Sequence, residues 1–167
     1  VKYNRSDNLH VFEYYKILLN HINLRLTYNN NIYLNLFNKI NLCELNLPKK
    51  YIIIQPCSGD KIRELSVGKW INFINQINNN GFYCVFLGIG KREDSIINRI
   101  IHGLEKKHFN TNLCDKLSWD QYLTIISDSI YVIGIESFAC HLASALKVNN
   151  LMLKTGITND ATWKPYD

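Results

Sequence analysis

Val132-Ile133-Gly134-Ile135-Glu136-Ser137-Phe138-Ala139-Cys140-His141-Leu142-Ala143-Ser144-Ala145-Leu146 passes from an apolar, β-branched run directly into a segment with helical spacing. Ile130–Ile135 reads as a buried strand, and Ser137–Leu146 as a helix that opens on the polar pair Glu136-Ser137. A strand feeding a helix through so short a turn is the repeating unit of a parallel sheet. The same alternation recurs on both sides. Upstream, Tyr51–Gln55 (YIIIQ) reads as a buried strand. Ser66 can cap a helix that runs to about Asn78 and is closed by Asn79-Asn80-Gly81. Phe82–Leu87 (FYCVFL) is the next strand and Arg92–Lys106 the next helix. Thr111–Leu113 has room for a short strand. Ser118-Trp119-Asp120-Gln121 has the form of a capping box and opens a helix to about Ser127. Downstream, Leu151–Leu153 is a last strand.

Continuous β-branched strands alternating with helices predict an α/β domain, a doubly wound parallel sheet of Rossmann-like type with right-handed crossovers. This domain is expected over residues 50–167. Residues 1–49 read differently. Leu9–Ile22 has helical spacing, Asn29-Asn30-Asn31 is a turn, and Ile32–Leu36 alternates like a strand, so this stretch is expected to be a linker helix with lead-in strands. The chain opens on Val1 and closes on Lys164-Pro165-Tyr166-Asp167, which suggests a fragment at both ends.

The net charge is +5, from 19 Lys and Arg against 14 Asp and Glu. That excess suits a phosphate-bearing ligand or an anionic surface but is too small to mark a nucleic-acid partner. Five cysteines, at 43, 57, 84, 114 and 140, form no CxxC pair. Reduced thiols in a cytoplasmic protein are expected, with no zinc site and no disulfide framework. No apolar run is long enough to span a bilayer, and no signal peptide is evident.

In open α/β sheets ligands bind beyond the carboxyl ends of the strands. That rule selects four loops: Gln55–Leu65 with Ser58, Lys61 and Arg63; Gly88–Glu93; Ile135-Glu136-Ser137; and Lys154–Thr162 with Gly156 and Thr158. Backbone N–H groups at helix starts suit phosphate, and Lys61 and Arg63 add charge, although both also read as ordinary solvated loop charges. Gly88-Ile89-Gly90 lacks the third glycine of a dinucleotide fingerprint, and no loop ends as a P-loop does. Ser137 and His141 share a helix face but lack the Gly-x-Ser-x-Gly elbow of a hydrolase. Cys140 and His141 lie about 100° apart around the helix, a poor arrangement for a thiol–imidazole pair.

With these residues in place, the chain resembles glycosyltransferase family 9, the heptosyltransferases of lipopolysaccharide core assembly. The family's strand–Asp–Ser/Thr–Gly–x–x–His–Leu–x–Ala–Ala–Leu segment is similar to Val132–Leu146 without a gap. Ile52–Ser58 resembles the family's first strand and its Pro-Gly-Ala/Ser turn, and Trp70 matches an aromatic of the next helix. Gly156-Ile157-Thr158 with Trp163 and Pro165 resembles its Gly-Pro-Thr…Trp-x-Pro close, and Leu9–Leu24 its interdomain linker helix. The resemblance implies the C-terminal, donor-binding half of a two-domain GT-B enzyme, with the N-terminal acceptor domain outside this chain.

The resemblance further implies inverting transfer of a heptose or related sugar from ADP-heptose or another nucleotide sugar. The acceptor would be lipid-linked, a lipopolysaccharide or another surface glycan. No metal or other cofactor is implied, and the general base would lie in the N-terminal domain. By this likeness Ser58, Lys61, Arg63, Glu136, Ser137 and His141 attend the donor's diphosphate and sugar, and Gly88, Glu93, Gly156 and Thr158 its nucleoside. The implied place is cytoplasmic, and the basic excess permits peripheral contact with the inner-membrane surface. Three departures stand out: Glu136 for Asp, Phe138 for Gly, and Arg63 for Lys. Glu136 and Phe138 support an alternative reading, a diverged, non-catalytic nucleotide-sugar-binding or scaffold domain. An unrelated α/β hydrolase or redox enzyme is a third.

Overall fold

The computed structural model describes residues 39–156 and, before them, Glu13, Ile17, Leu19 and Asn20, which are helical. The turn expected at Asn29–Asn31, the strand at Ile32–Leu36 and the rest of the lead-in helix lie outside the described residues, as do residues 157–167.

Five parallel strands form one sheet: β1 Tyr51–Gln55, β2 Tyr83–Phe86, β3 Asn110–Asn112, β4 Tyr131–Ile135 and β5 Asn150–Leu153. Four helices connect them: α1 Val67–Asn79, α2 Gly90–Gly103, α3 Trp119–Asp128 and α4 Phe138–Ala145. The strand order is β3-β2-β1-β4-β5. The chain builds outward from β1 to one edge, then returns to the other side of β1 with β4. Between β1 and β4 the two connections leave in opposite directions, which opens a crevice at their carboxyl ends.

Strand periodicity sorts the core into two layers. Ile53, Val85 and Val132 point to one face and pack under α3 and α4 against Leu123, Ile125, Ile126 and Leu142. Ile52, Ile54, Cys84, Phe86, Ile133 and Ile135 point to the other and meet α1 and α2 through Trp70, Ile74, Ile97 and Ile100. β1 is buried along its whole length because both faces are covered. Trp70 is a wholly buried core residue. Leu42, Leu45 and Leu47 pack against the α3–α4 layer, and the Ile40 backbone N–H donates to Thr124 Oγ1 at 3.3 Å.

Local signals set the helix starts. Ser66 Oγ accepts from the Lys69 N–H, and the Ser118 capping box is complete in both directions. At Gly134 the two central strands run close together: a Cβ there would lie 3.0 Å from the Gln55 carbonyl oxygen.

Candidate functional site: a cleft at the carboxyl ends of β1 and β4

A cleft of about 550 Å³ opens at this crevice. Its size suits a small organic ligand. One wall comes from the loops after β1 and β2 and includes Ser58, Arg63, Gly88, Ile89 and Glu93. The other comes from the starts of α3 and α4 and includes Trp119, Tyr122, Glu136, Ser137 and Phe138. Six of the residues selected from sequence therefore meet in one cavity: Ser58, Arg63, Gly88, Glu93, Glu136 and Ser137. Lys61 is exposed on a short 3-10 turn outside the lining. His141 is half-buried on α4 and does not line the cleft, nor does exposed Gly156, which adopts a φ of 82°. Thr158 lies outside the described residues.

The loop after β1 is braced internally. The Ser58 hydroxyl donates to the Asp60 carbonyl at 2.8 Å and accepts from the Asp60 N–H, so it serves its own turn. The Ser58 N–H donates to Glu64 Oε1 at 3.0 Å, and Arg92 donates to the same oxygen through both terminal nitrogens. This tie between α2 and the loop engages Arg92 and leaves Arg63 as the one cation among the described lining residues. Arg63 Nη1 lies 3.9 Å from Glu136 Oε1, so a half-exposed guanidinium reaches across the cleft to a buried carboxylate.

The two helix starts beside the cleft differ. At α2, Glu93 Oε2 accepts from the Ile89 N–H at 2.9 Å, and Asp115 Oδ2 accepts from the Gly90 N–H at 2.7 Å. Carboxylates already satisfy that helix dipole. At α4 the Ser137 side chain makes no capping bond, and its hydroxyl is buried without a hydrogen-bond partner. A helix start, together with Arg63, makes this end of the cleft fit for an anion.

Other chemistries fit less well. With no partner on its hydroxyl, Ser137 has no base to activate it. Burial, helped by Glu64 and Glu93, pushes the Cys57 thiol up to about 12, and burial does the same for Cys140. Neither supplies thiolate near neutral pH. Among the described residues no group of His, Cys, Asp and Glu is placed to hold a metal ion, and no helix is long and apolar enough to cross a membrane.

Sequence reasoning missed the aromatic wall. Trp119 stacks on Tyr122 with centroids 5.9 Å apart and planes 7° apart. Phe138 meets Trp119 at 5.8 Å and Tyr122 at 6.5 Å. In the sequence Trp119 reads only as part of a capping box. The i,i+3 spacing of Trp119 and Tyr122 was the available signal that their rings share a helix face. Asp115, at a φ of 55°, was missed as well, as was the Glu64–Arg92 tie.

The sequence profile of glycosyltransferase family 9 (heptosyltransferase) matches residues 3–167. The chain belongs to this family. As a family 9 member it is 27% identical over 124 residues to lipopolysaccharide heptosyltransferase 3 of Escherichia coli K12, a match covering 73% of this chain and 35% of that protein. Among solved structures it is similar to a family 9 glycosyl transferase from Veillonella parvula, with a TM-score of 0.74 and 16% identity, over 100% of this chain and 50% of that one. It is also similar to the E. coli ADP-heptose lipopolysaccharide heptosyltransferase II, with a TM-score of 0.65 and 17% identity, over 73% of this chain and 39% of that one. These structural likenesses bear out the doubly wound, Rossmann-like fold. The chain spans half or less of the length of each of these relatives.

Proposed function

We propose that this family 9 chain is the nucleotide-sugar-binding half of an inverting glycosyltransferase. Its donor is ADP-heptose or a related nucleotide sugar, and its acceptor is a lipopolysaccharide or another surface glycan. The observation that carries this reading is the start of α4, where Ser137 makes no capping bond and lines the cleft with Arg63, the one cation among the described lining residues.

The cleft is divided in a way that suits such a donor. Leu87, Leu113, Leu117 and Tyr122 make an apolar part that accepts a flat base. Arg63, Ser137 and the α4 N–H groups make a polar part that accepts the diphosphate. As the bond from sugar to phosphate breaks, charge collects on the leaving diphosphate. Arg63 and the start of α4 stabilise that charge where it develops, without metal. Glu136 pairs with the guanidinium across the cleft. Ser58 shapes the loop through its own turn. The general base and the acceptor site belong to the part of the enzyme outside this chain. The working place is the cytoplasmic side of the membrane that carries a lipid-linked acceptor.

Calorimetry with ADP, GDP, UDP and adenosine tests this reading. At least one diphosphate should bind. Arg63→Ala should weaken it by about tenfold to a hundredfold, the worth of a charge-assisted hydrogen bond, and leave the nucleoside nearly unchanged. If the folded chain binds none of the diphosphates, the donor site is refuted. The Arg63–Glu136 pair favours one second reading, a non-catalytic scaffold in which the ion pair simply holds the two walls together. In that case Arg63→Ala lowers stability and no diphosphate binds.

A further inference from the structure

Phe138 is the first residue of α4, beside the Ser137 hydroxyl and across the cleft from Arg63. In the structure its ring turns toward α3 and completes the stack with Trp119 and Tyr122. The stack is not a core feature: Phe138 is 56% exposed and Trp119 58% exposed. Burial alone therefore does little to fix the ring, and contact with its two aromatic neighbours is what selects its position. Tyr122 gives the stack a fixed base. It packs against the α3–α4 core layer and lies under Trp119.

We propose that Trp119 and Tyr122 are positioning residues that hold the Phe138 ring over α3 and keep the diphosphate end of the cleft open. The proposal rests on the donor-site reading above. It gives the aromatic wall a role that a nucleobase-stacking surface alone would not have, because the ligand group affected is the diphosphate. A cleft whose open form is less populated binds more weakly in proportion to the lost population. Aromatic pairing of this kind shifts such a population by about threefold to tenfold.

The test combines NMR of the free chain with calorimetry, using inorganic pyrophosphate and ADP as probes. In the wild type, Phe138 ring protons should show NOEs to Trp119 and Tyr122. In Trp119→Ala they should lose the Tyr122 NOEs in part and gain NOEs to Ser137 or Arg63. Trp119→Ala should weaken pyrophosphate by about threefold to tenfold. Trp119→Phe should restore it. In a Phe138→Gly background, Trp119→Ala should leave pyrophosphate binding unchanged. Four results overturn the proposal: a Phe138 ring that does not move in Trp119→Ala, a loss confined to ADP, a loss that persists in the Phe138→Gly background, or no rescue by Phe. If the wild type binds neither probe, the donor-site reading fails and the proposal falls with it.

Discussion

Arg63 and Glu136 illustrate what a sequence does and does not disclose at the scale of single residues. Each was legible as a polar residue in a loop at a strand's carboxyl end. Their meeting at 3.9 Å was not, because it depends on β1 and β4 lying side by side. The pairing means that an incoming diphosphate must share Arg63 with a carboxylate. Glu136→Gln removes that competition and should tighten pyrophosphate binding several-fold, by about 1 kcal/mol, measured by calorimetry; unchanged or weaker binding would show that Glu136 serves the ligand directly. Gly88 was singled out for a nucleoside contact. Its surroundings show a packing reason too: a Cβ would lie 2.9 Å from Glu93 Oε2, 3.0 Å from Ile97 Cδ1 and 3.2 Å from Cys114 Sγ. Gly88→Ala should therefore cost about 1–3 kcal/mol in urea unfolding, the usual penalty of overpacking. A neutral result would mean that the loop relaxes freely.

At the scale of elements, the strands and helices of residues 50–156 were legible because period and capping agree. YIIIQ is a strand as expected. Ser118 and Gln121 make the reciprocal box that their spacing implied. Boundaries moved where a tertiary contact outweighed propensity. α2 was expected over Arg92–Lys106 but spans Gly90–Gly103. It starts early because the distant Asp115 carboxylate binds the Gly90 N–H, and Gly90 supplies the φ of 82°. It stops early because Leu104 turns extended and drops into the core. β3 begins one residue sooner than expected, at Asn110, through its pairing with Cys84. Ser118→Ala removes the Oγ acceptor of the Gln121 N–H, leaves the bond from the Ser118 N–H to Gln121 Oε1, and should lower stability by about 1 kcal/mol in chemical denaturation. A shift near zero would mean that the start of α3 is held by its aromatic packing instead.

At the scale of the whole molecule, alternating β and α segments foretold the doubly wound sheet, and the rule for such sheets placed the cleft. The aromatic wall was hidden, because it joins the starts of two helices that only the strand order brings together. The buried thiols give the fold a definite response to alkali. Burial pushes Cys57, Cys84 and Cys140 from 9.0 up to about 12. In the unfolded chain they ionise near pH 9, while in the folded chain they stay protonated. The unfolded state releases its protons first, so stability is full below about pH 9 and declines as pH rises toward 12. The urea midpoint should therefore be lower at about pH 10 than at neutral pH, and an equal midpoint would contradict the burial of these groups. Cys43, exposed where the other four cysteines are buried, should be the one thiol labelled in the native chain. The central claim is that a nucleoside diphosphate binds beyond the carboxyl ends of β1 and β4. Amide NMR during titration with ADP tests it most directly. The account predicts the largest shifts at Arg63, Gly88, Ser137 and Phe138, with Asn46 and Phe82 at the far end of the sheet unmoved. Shifts centred elsewhere, or none at saturating ADP, would contradict it.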